Sequence, residues 1–279
     1  MARQPKTIQR LEAAVDVLRA HRPMTVRQVY YQLVSRQVIK NNRSMYQAVS
    51  DLLVTARKDG TIAWDDIEDR LRRPRTVGMW RDLPAFSKTV LAAYRRDVWE
   101  TQAGYVEVWL EKDALSGILE DVLGKYGVTL NVGRGFDGWD SIRNAAMRYR
   151  ARGMSHGGNI TVLYFGDFDP SGEDMARSLR ERLRYFGVSP HIIKCALTMD
   201  DIRRYQLPTD FTKATDTRSA AFIAKHGDVS VELDALPTSV LSERLKAEVE
   251  SRLDLKALNS VREAEDEDRK RLTDALRAA

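Results

Sequence analysis

The chain has 279 residues, 43% hydrophobic and 30% charged, which describes a globular protein with room for two ordinary domains or one large one. No apolar run approaches the roughly 20 residues that cross a bilayer, and the basic start MARQPKTIQRLEAAV has no apolar core behind it, so it does not read as a secretory signal. The lone Cys195 excludes an internal disulfide and a cysteine-based zinc site and fits a reducing, cytoplasmic setting. The formal net charge of +5 is uneven: residues 1–100 hold 19 Lys and Arg against 11 Asp and Glu, and the remainder holds 26 against 29. A basic front half points to a polyanion, nucleic acid being the usual one, although basic surface also serves solubility.

Residues 5–20 carry Ile8, Leu11, Val15 and Leu18 at helical spacing, and His21-Arg22-Pro23 ends the stripe. Thr25 is the expected N-cap of a second helix whose apolar face includes Val26, Val29, Tyr30, Leu33 and Val34. Asn41-Asn42 form a turn, Ser44 is expected to open a third helix, and Gly60 stops it. Thr61 to Trp64 is short and strand-like, followed by Ile67 and the basic run Arg70, Arg72, Arg73 and Arg75. Three helices and a strand-turn segment outline a winged helix-turn-helix over residues 1–75, with the third helix in the major groove and the wing on phosphate. Arg43, Arg57, Lys58, Arg72 and Arg73 are then the candidate DNA contacts. A plain helical bundle with an exposed basic tail is the competing outline.

Residues 76–100 read as a polar helical linker, and from about residue 101 the pattern becomes α/β. YVEVWL is a strand ending at Glu111, with a helix through Leu115, Ile118, Leu119 and Val122 behind it. VTLNVG is a second strand, leading through GRGFDGWD to a helix over 141–150. Ile160 to Tyr164 is a buried strand broken by Gly166, then Asp167 and Asp169 on a turn, then a helix through Met175, Leu179 and Leu183 with Ser171 as its expected N-cap. VSPHIIKCALT is a fourth strand, MDDIRRYQL a short helix, and the tail from Pro237 is two charged helices. Strands alternating with helices at these lengths predict a parallel sheet covered on both faces.

Asp167 and Asp169 are acceptor-only groups close enough to share one ion, at the strand end where such sheets place ligands. Short Asp pairs also close loops and cap helices, so alone the pair is ambiguous. Glu111 ends another strand, and if the two strands are neighbours the three acids converge. Three crowded carboxylates repel unless a divalent cation compensates them, which makes Glu111, Asp167 and Asp169 the candidate Mg²⁺ ligands. Lys112 and Arg134 could add positive charge for phosphate. His21, His156, His191 and His226 have no metal-ligand spacing and are assigned no role.

Taken together, VEVWLEKDAL, GRGF and GDFDPSG resemble the Toprim domain, and a wing-like domain carrying TVRQVYY ahead of it is similar to the A subunit of DNA topoisomerase VI and the related meiotic double-strand-break proteins. CALTMDDIRRYQLP and VELDALP resemble segments at the end of the same Toprim half, so the likeness covers residues from about 23 to about 240. The resemblance implies a winged-helix domain followed by a Toprim-like α/β domain, with Tyr31 as nucleophile and Arg27 steadying phosphate one helical turn before it. It also implies double-stranded DNA as partner and a homodimer in which the tyrosine of one protomer meets the metal site of the other. An ATPase subunit of the B type is a further partner it suggests. The chain departs from the family in its short N-terminal region and in having Phe168 where a proline usually separates the acids. It reads as a reduced, stand-alone form, nucleoid-associated or carried by a mobile element or phage.

The resemblance therefore implies a Mg²⁺-dependent DNA-cleaving transesterase that leaves 5′-phosphotyrosyl links and breaks both strands as a dimer. Two other readings use the same residues. One is a hydrolytic nuclease with water as nucleophile and a structural Tyr31. The other is a DNA-binding protein with an inactive Toprim fold, which the intact acid triad disfavours. A dehalogenase-type phosphatase, suggested by DFD alone, would need a different motif after the first strand. No P-loop is present, so energy for strand passage would come from another chain.

Overall fold

The computed structural model describes residues 4–67, 77–133, 138–155, 158–212 and 217–278. Arg72, Arg73 and Arg134 lie outside the described residues.

Three helices open the chain: α1 (Pro5–His21), α2 (Val26–Ser35) and α3 (Arg43–Lys58). They pack on one another around Leu18, Val29, Leu33, Val49 and Leu53, all essentially inaccessible to solvent. Thr25 caps α2 as its sequence requires, in a reciprocal box with Gln28. Asn42 rather than Ser44 caps α3, accepting from the Met45 N–H at 2.9 Å. The strand expected at 61–64 is replaced by a turn and a 3₁₀ segment, Trp64–Asp66. The reason is local: Asp59 accepts from both the Thr61 N–H and its hydroxyl, and Arg57 stacks on Trp64 at 4.9 Å, which together fold the chain back on α3. Ile67 bridges to Met24 in parallel, tying this segment to the start of α2.

The linker is less helical than its composition suggests. Among its described residues only α4 (Leu83–Ala93) is helical; it buries none of its residues and is followed by irregular chain. Tyr94 and Arg96 then dock on the tail through Asp268, at 2.7 and 2.6 Å.

The rest is α/β. Strands β1 (Tyr105–Leu110), β2 (Thr129–Val132), β3 (Ile160–Phe165) and β4 (His191–Ala196) form one sheet in the order β2-β1-β3-β4, every pair parallel. Parallel neighbours need crossovers, supplied by α5 (Ser116–Leu123), α6 (Trp139–Ser155) and α7 (Pro170–Tyr185). Helix α5 packs with α10 (Thr238–Glu250), and α6 packs with α7, so β1 is buried along its whole length. Within β1 the fully buried Glu107 is satisfied by Arg148, Asn131 and Tyr105, which makes it a structural acid. Two short helices, α8 (Met199–Arg204) and α9 (Ser219–His226), precede a 3₁₀ turn at Leu233–Ala235, and α11 (Leu255–Ala278) ends the chain. The predicted α/β class, its four strands and the two tail helices are all present.

Candidate functional site

Strands β1 and β3 are neighbours, with Leu110 opposite Phe165. Their ladder continues one residue further, where the Glu111 N–H donates to the Phe165 carbonyl at 2.9 Å. Glu111 and the turn after β3 therefore leave the same sheet edge side by side. Glu111 Oε2 folds over that turn and accepts from the Asp167 N–H at 2.9 Å and the Tyr164 hydroxyl at 3.3 Å. Gly166 makes this possible: a Cβ there would stand 2.6 Å from Glu111 Oε2. Gly172 is required for a similar reason, since a Cβ would lie 2.2 Å from the Asp167 carbonyl oxygen.

The expected cap of α7 is corrected. Asp169, not Ser171, sits at the N-cap and accepts from the Gly172 N–H at 2.7 Å, because its extended backbone aims its short carboxylate at the first free amides of the helix. Asp169 thus caps the helix, and its charge also acts on Glu111. Asp167 is buried and turns the other way: Oδ1 accepts from the Leu233 N–H at 2.7 Å, and Oδ2 pairs with Lys112 Nζ at 3.1 Å.

Lys112 gathers three acids, since its ammonium also lies 2.8 Å from Glu232 and 3.4 Å from Asp234. Glu232 is the extended residue that opens the 3₁₀ turn Leu233–Ala235 and Asp234 lies inside that turn, yet both reach Lys112. That segment is held against the turn after β3 by an antiparallel bridge between Phe168 and Val231. From the other side, the Arg27 guanidinium pairs with Glu232 and, at 3.3 Å, with Asp234. Tyr31 borders the same cleft as Glu232, and the Arg27 guanidinium stands 6.0 Å from the centre of its ring.

Charges in this cluster are strongly biased. Burial pushes Glu111 up, aided by the charge of Asp169 and partly offset by the Asp167 N–H. Burial also raises Asp167, against the pull of Lys112. Glu232 goes the opposite way: although burial opposes its charge, Lys112 and Arg27 hold it down to about 2. Burial and then Glu232 raise the Tyr31 phenol well above the usual tyrosine range. Lys112 and Arg27 are both held charged by their carboxylates despite burial.

The two halves of the molecule meet across a cleft of about 460 Å³ lined by Arg27, Tyr31, Arg43, Asp167, Asp169 and Glu232 among others. Five residues singled out in the sequence, Arg27, Tyr31, Arg43, Asp167 and Asp169, thus border one space, with Glu111 hydrogen-bonded to the Asp167 amide. Tyr30 is structural: its hydroxyl is fixed by Asn41 at 2.9 Å and by the Asn42 N–H at 2.8 Å. Arg57 and Lys58 are not brought to the cleft. They end α3, about 21 Å along the axis from Arg43 at 1.5 Å per residue.

Among the described residues, no three His, Cys, Asp or Glu side chains are grouped so as to hold a metal ion. The chemistry of Glu111 and Asp169 nevertheless fits one: both are hard oxygen donors, and burial, aided by the charge of Asp169, raises Glu111. Asp167 fits only when it leaves Lys112. The residues missed in the sequence are Glu232 and Asp234, whose Glu-x-Asp spacing in VELDALP matches that of Asp167 and Asp169 and was the available signal. Comparison with protein-family models, with curated proteins and with solved structures finds no match to this chain.

Proposed function

We propose that this chain is a Mg²⁺-dependent DNA-cleaving transesterase of the topoisomerase VI A-subunit type, with a winged-helix-like front half and a Toprim-like α/β half. The observation that carries this reading is the shared cleft: a tyrosine with an arginine one helical turn before it faces a carboxylate cluster at the carboxyl edge of a parallel sheet. Nucleophile, phosphate-binding cations and acids are the parts that phosphodiester transesterification needs.

Tyr31 Oη attacks the phosphorus, the bond to the 3′ oxygen breaks, and a 5′-phosphotyrosyl link remains. The phenol proton passes to Glu232, which borders the same cleft, and the departing 3′ oxygen takes a proton from water. Glu232 is a weak base while Arg27 and Lys112 both bind it. A phosphate that draws those cations to itself leaves Glu232 more basic at the moment Tyr31 must lose its proton. Arg27 and Lys112 then bear on the phosphoryl oxygens, and Arg43 on a neighbouring phosphate. Glu111 and Asp169, joined by Asp167 on its release from Lys112, would hold Mg²⁺, which supplies charge neutralisation at a phosphoryl oxygen. Two copies, one per strand, make a double-strand break.

A hydrolytic nuclease is favoured by one observation, the burial of Tyr31 at 7% exposure with its phenol proton firmly held. A single experiment separates the two readings. Supercoiled plasmid is incubated with the protein and Mg²⁺, quenched with detergent and assayed for protein attached to 5′ ends. Adducts made by the wild type and lost in Tyr31→Phe support transesterification. Cutting without adducts, unchanged in Tyr31→Phe, overturns it in favour of hydrolysis.

A further inference from the structure

We propose that the outer surface where α6 meets the end of α7 binds single-stranded nucleic acid, as a site separate from the cleft. The proposal does not depend on the transesterase reading, and among the described residues the surface shares none with the cleft lining. Three aromatic rings meet there: Trp139 opens α6, while Tyr185 and Phe186 close α7. The Trp139 ring centre lies 5.4 Å from that of Tyr185 and 5.9 Å from that of Phe186, and the last two are 5.1 Å apart. Interplanar angles of 69°, 70° and 85° make every pair edge-to-face, so no ring in the trio has a parallel neighbour. The cluster is held in shape without being buried, with Trp139 53% and Tyr185 76% exposed.

Cations frame these rings. The Arg182 guanidinium stacks on Trp139 at 4.6 Å, and Arg150 donates to the Phe186 carbonyl. Trp139, Arg143 and Met147 recur every fourth residue and share one exposed face of α6, while Ile142, Ala145, Ala146 and Tyr149 turn into the core. Arg184, beside Tyr185, is exposed as well. The acids in these stretches of helix are Asp140 and Glu181, and Glu181 is held by Arg177 at 2.7 Å. The result is a cationic surface with aromatic rings standing in water.

That combination selects the ligand. Guanidinium groups favour phosphate, and exposed ring faces favour a flat partner. Duplex DNA supplies phosphate, but its bases are already stacked on one another and leave Trp139 and Tyr185 unused. A single strand supplies both at once, since its bases stack on the rings while its backbone runs along the arginines. DNA and RNA strands share this chemistry.

The test is binding by fluorescence anisotropy in EDTA, so that no cleavage enters, using full-length protein with labelled oligo(dT), oligo(U) and a duplex, each of about 20 nucleotides or base pairs. Tyr185→Ala is expected to weaken single-strand binding by about tenfold and to leave duplex binding within about twofold. Trp139→Ala should do at least as much. If it unfolds because Arg182 and Phe186 lose their packing, Tyr185→Ala decides, as its side chain lies mostly in water. Arg143→Gln/Arg184→Gln should flatten the slope of log affinity against log salt for single strands by about 1.4, or about 0.7 per lost phosphate contact. The more tightly held of the two oligomers names the strand that occupies the surface.

Single-strand binding unchanged within about twofold in Tyr185→Ala overturns the proposal. So does an equal loss on the duplex, which would make this a general phosphate contact. A wild-type dimer that sediments as a monomer in Tyr185→Ala also overturns it, by making the surface an interface between copies. Location is read directly by irradiating the complex with iodouracil-substituted oligo(dT) and mapping the adducts by mass spectrometry. Adducts on Trp139 or Tyr185 are expected, and adducts confined to the cleft overturn the proposal. Because binding is read without cutting, failure of the transesterase reading leaves this result standing.

Discussion

Two short acidic motifs of the same spacing flank the cleft, and their leading acids, Asp167 and Glu232, have opposite electrostatic fates. Asp167-Phe168-Asp169 leaves the end of β3, and Glu232-Leu233-Asp234 enters a 3₁₀ turn beside it, the two joined by the Phe168–Val231 bridge. Around the first, carboxylates outnumber cations: Asp167 and Glu111 are both raised, chiefly by burial, and share one nearby lysine. Around the second, two cations converge on Glu232 and hold it ionised. Both are carboxylate pairs at the same spacing, so the difference lies largely in what the rest of the fold places opposite them. The first motif is left wanting positive charge, and the second sequesters the positive charge a phosphate would need.

The largest expected effect comes from removing the nucleophile on the cation-rich side. Tyr31→Phe keeps the ring packed against Tyr30 and Arg27 and deletes only the hydroxyl. Adduct formation should fall by about 10³-fold or more, while the melting temperature moves little. Retained adducts would transfer the nucleophile's role elsewhere and dissolve the contrast between the motifs.

Lys112 belongs to both motifs at once, so its loss should be the most damaging to the fold. Lys112→Ala leaves Asp167, Glu232 and Asp234 crowded without their common cation, two of them buried. Removing one partner of a buried pair costs about 3–5 kcal/mol. Denaturant unfolding should show a loss in that range, and millimolar Mg²⁺ should recover part of it if the acids accept a cation. A loss below about 1 kcal/mol would mean that the cluster is better hydrated than its burial suggests.

Much of the sheet and its acids was legible because the signals were local. YVEVWL and Ile160 to Tyr164 read as buried strands, Gly166 marked the end of one, and the acids followed at fixed offsets. That β1 and β3 are neighbours was a condition the sequence left open, and it is met. The cap was misread at Ser171, since Ser and Asp compete for the N-cap and only backbone geometry selects Asp169. The strand at 61–64 failed because Asp59 and the Arg57–Trp64 stack redirect the chain, contacts no period can announce. Glu232 stayed hidden for a different reason. Its importance comes from Arg27, 205 residues away, and from Lys112, 120 residues away, so it exists as a site residue only in the folded chain.

A smaller effect should follow from filling the space under Glu111. In Gly166→Ala the new methyl would stand 2.6 Å from both Glu111 Oε2 and the Tyr164 hydroxyl, so Glu111 must move off the Asp167 amide. Overpacking of this kind costs about 1–3 kcal/mol. Because Glu111 loses its place over the turn, Mg²⁺-dependent cutting should drop further than stability alone explains. Unchanged Mg²⁺ dependence in the folded variant would remove Glu111 from the acid-rich motif.

The finest probe of the comparison is the pH dependence of the Glu232 tie. Glu232 ionises more readily in the fold than in the unfolded chain, near 2 instead of 4.5. A carboxylate shifted down stabilises the fold fully above its unfolded value and loses that contribution as pH falls toward its folded value. Glu232→Gln should therefore unfold more easily than wild type by about 1–2 kcal/mol above pH 5, a figure kept small because the side chain is 37% exposed and screened by solvent. The difference should narrow between pH 4.5 and about 2, where wild type loses the same charge. Melting curves of the two proteins from pH 2.5 to 7 give the measurement. A difference that widens on acidification would reverse the sign and place Glu232 with the raised, cation-poor acids of the other motif.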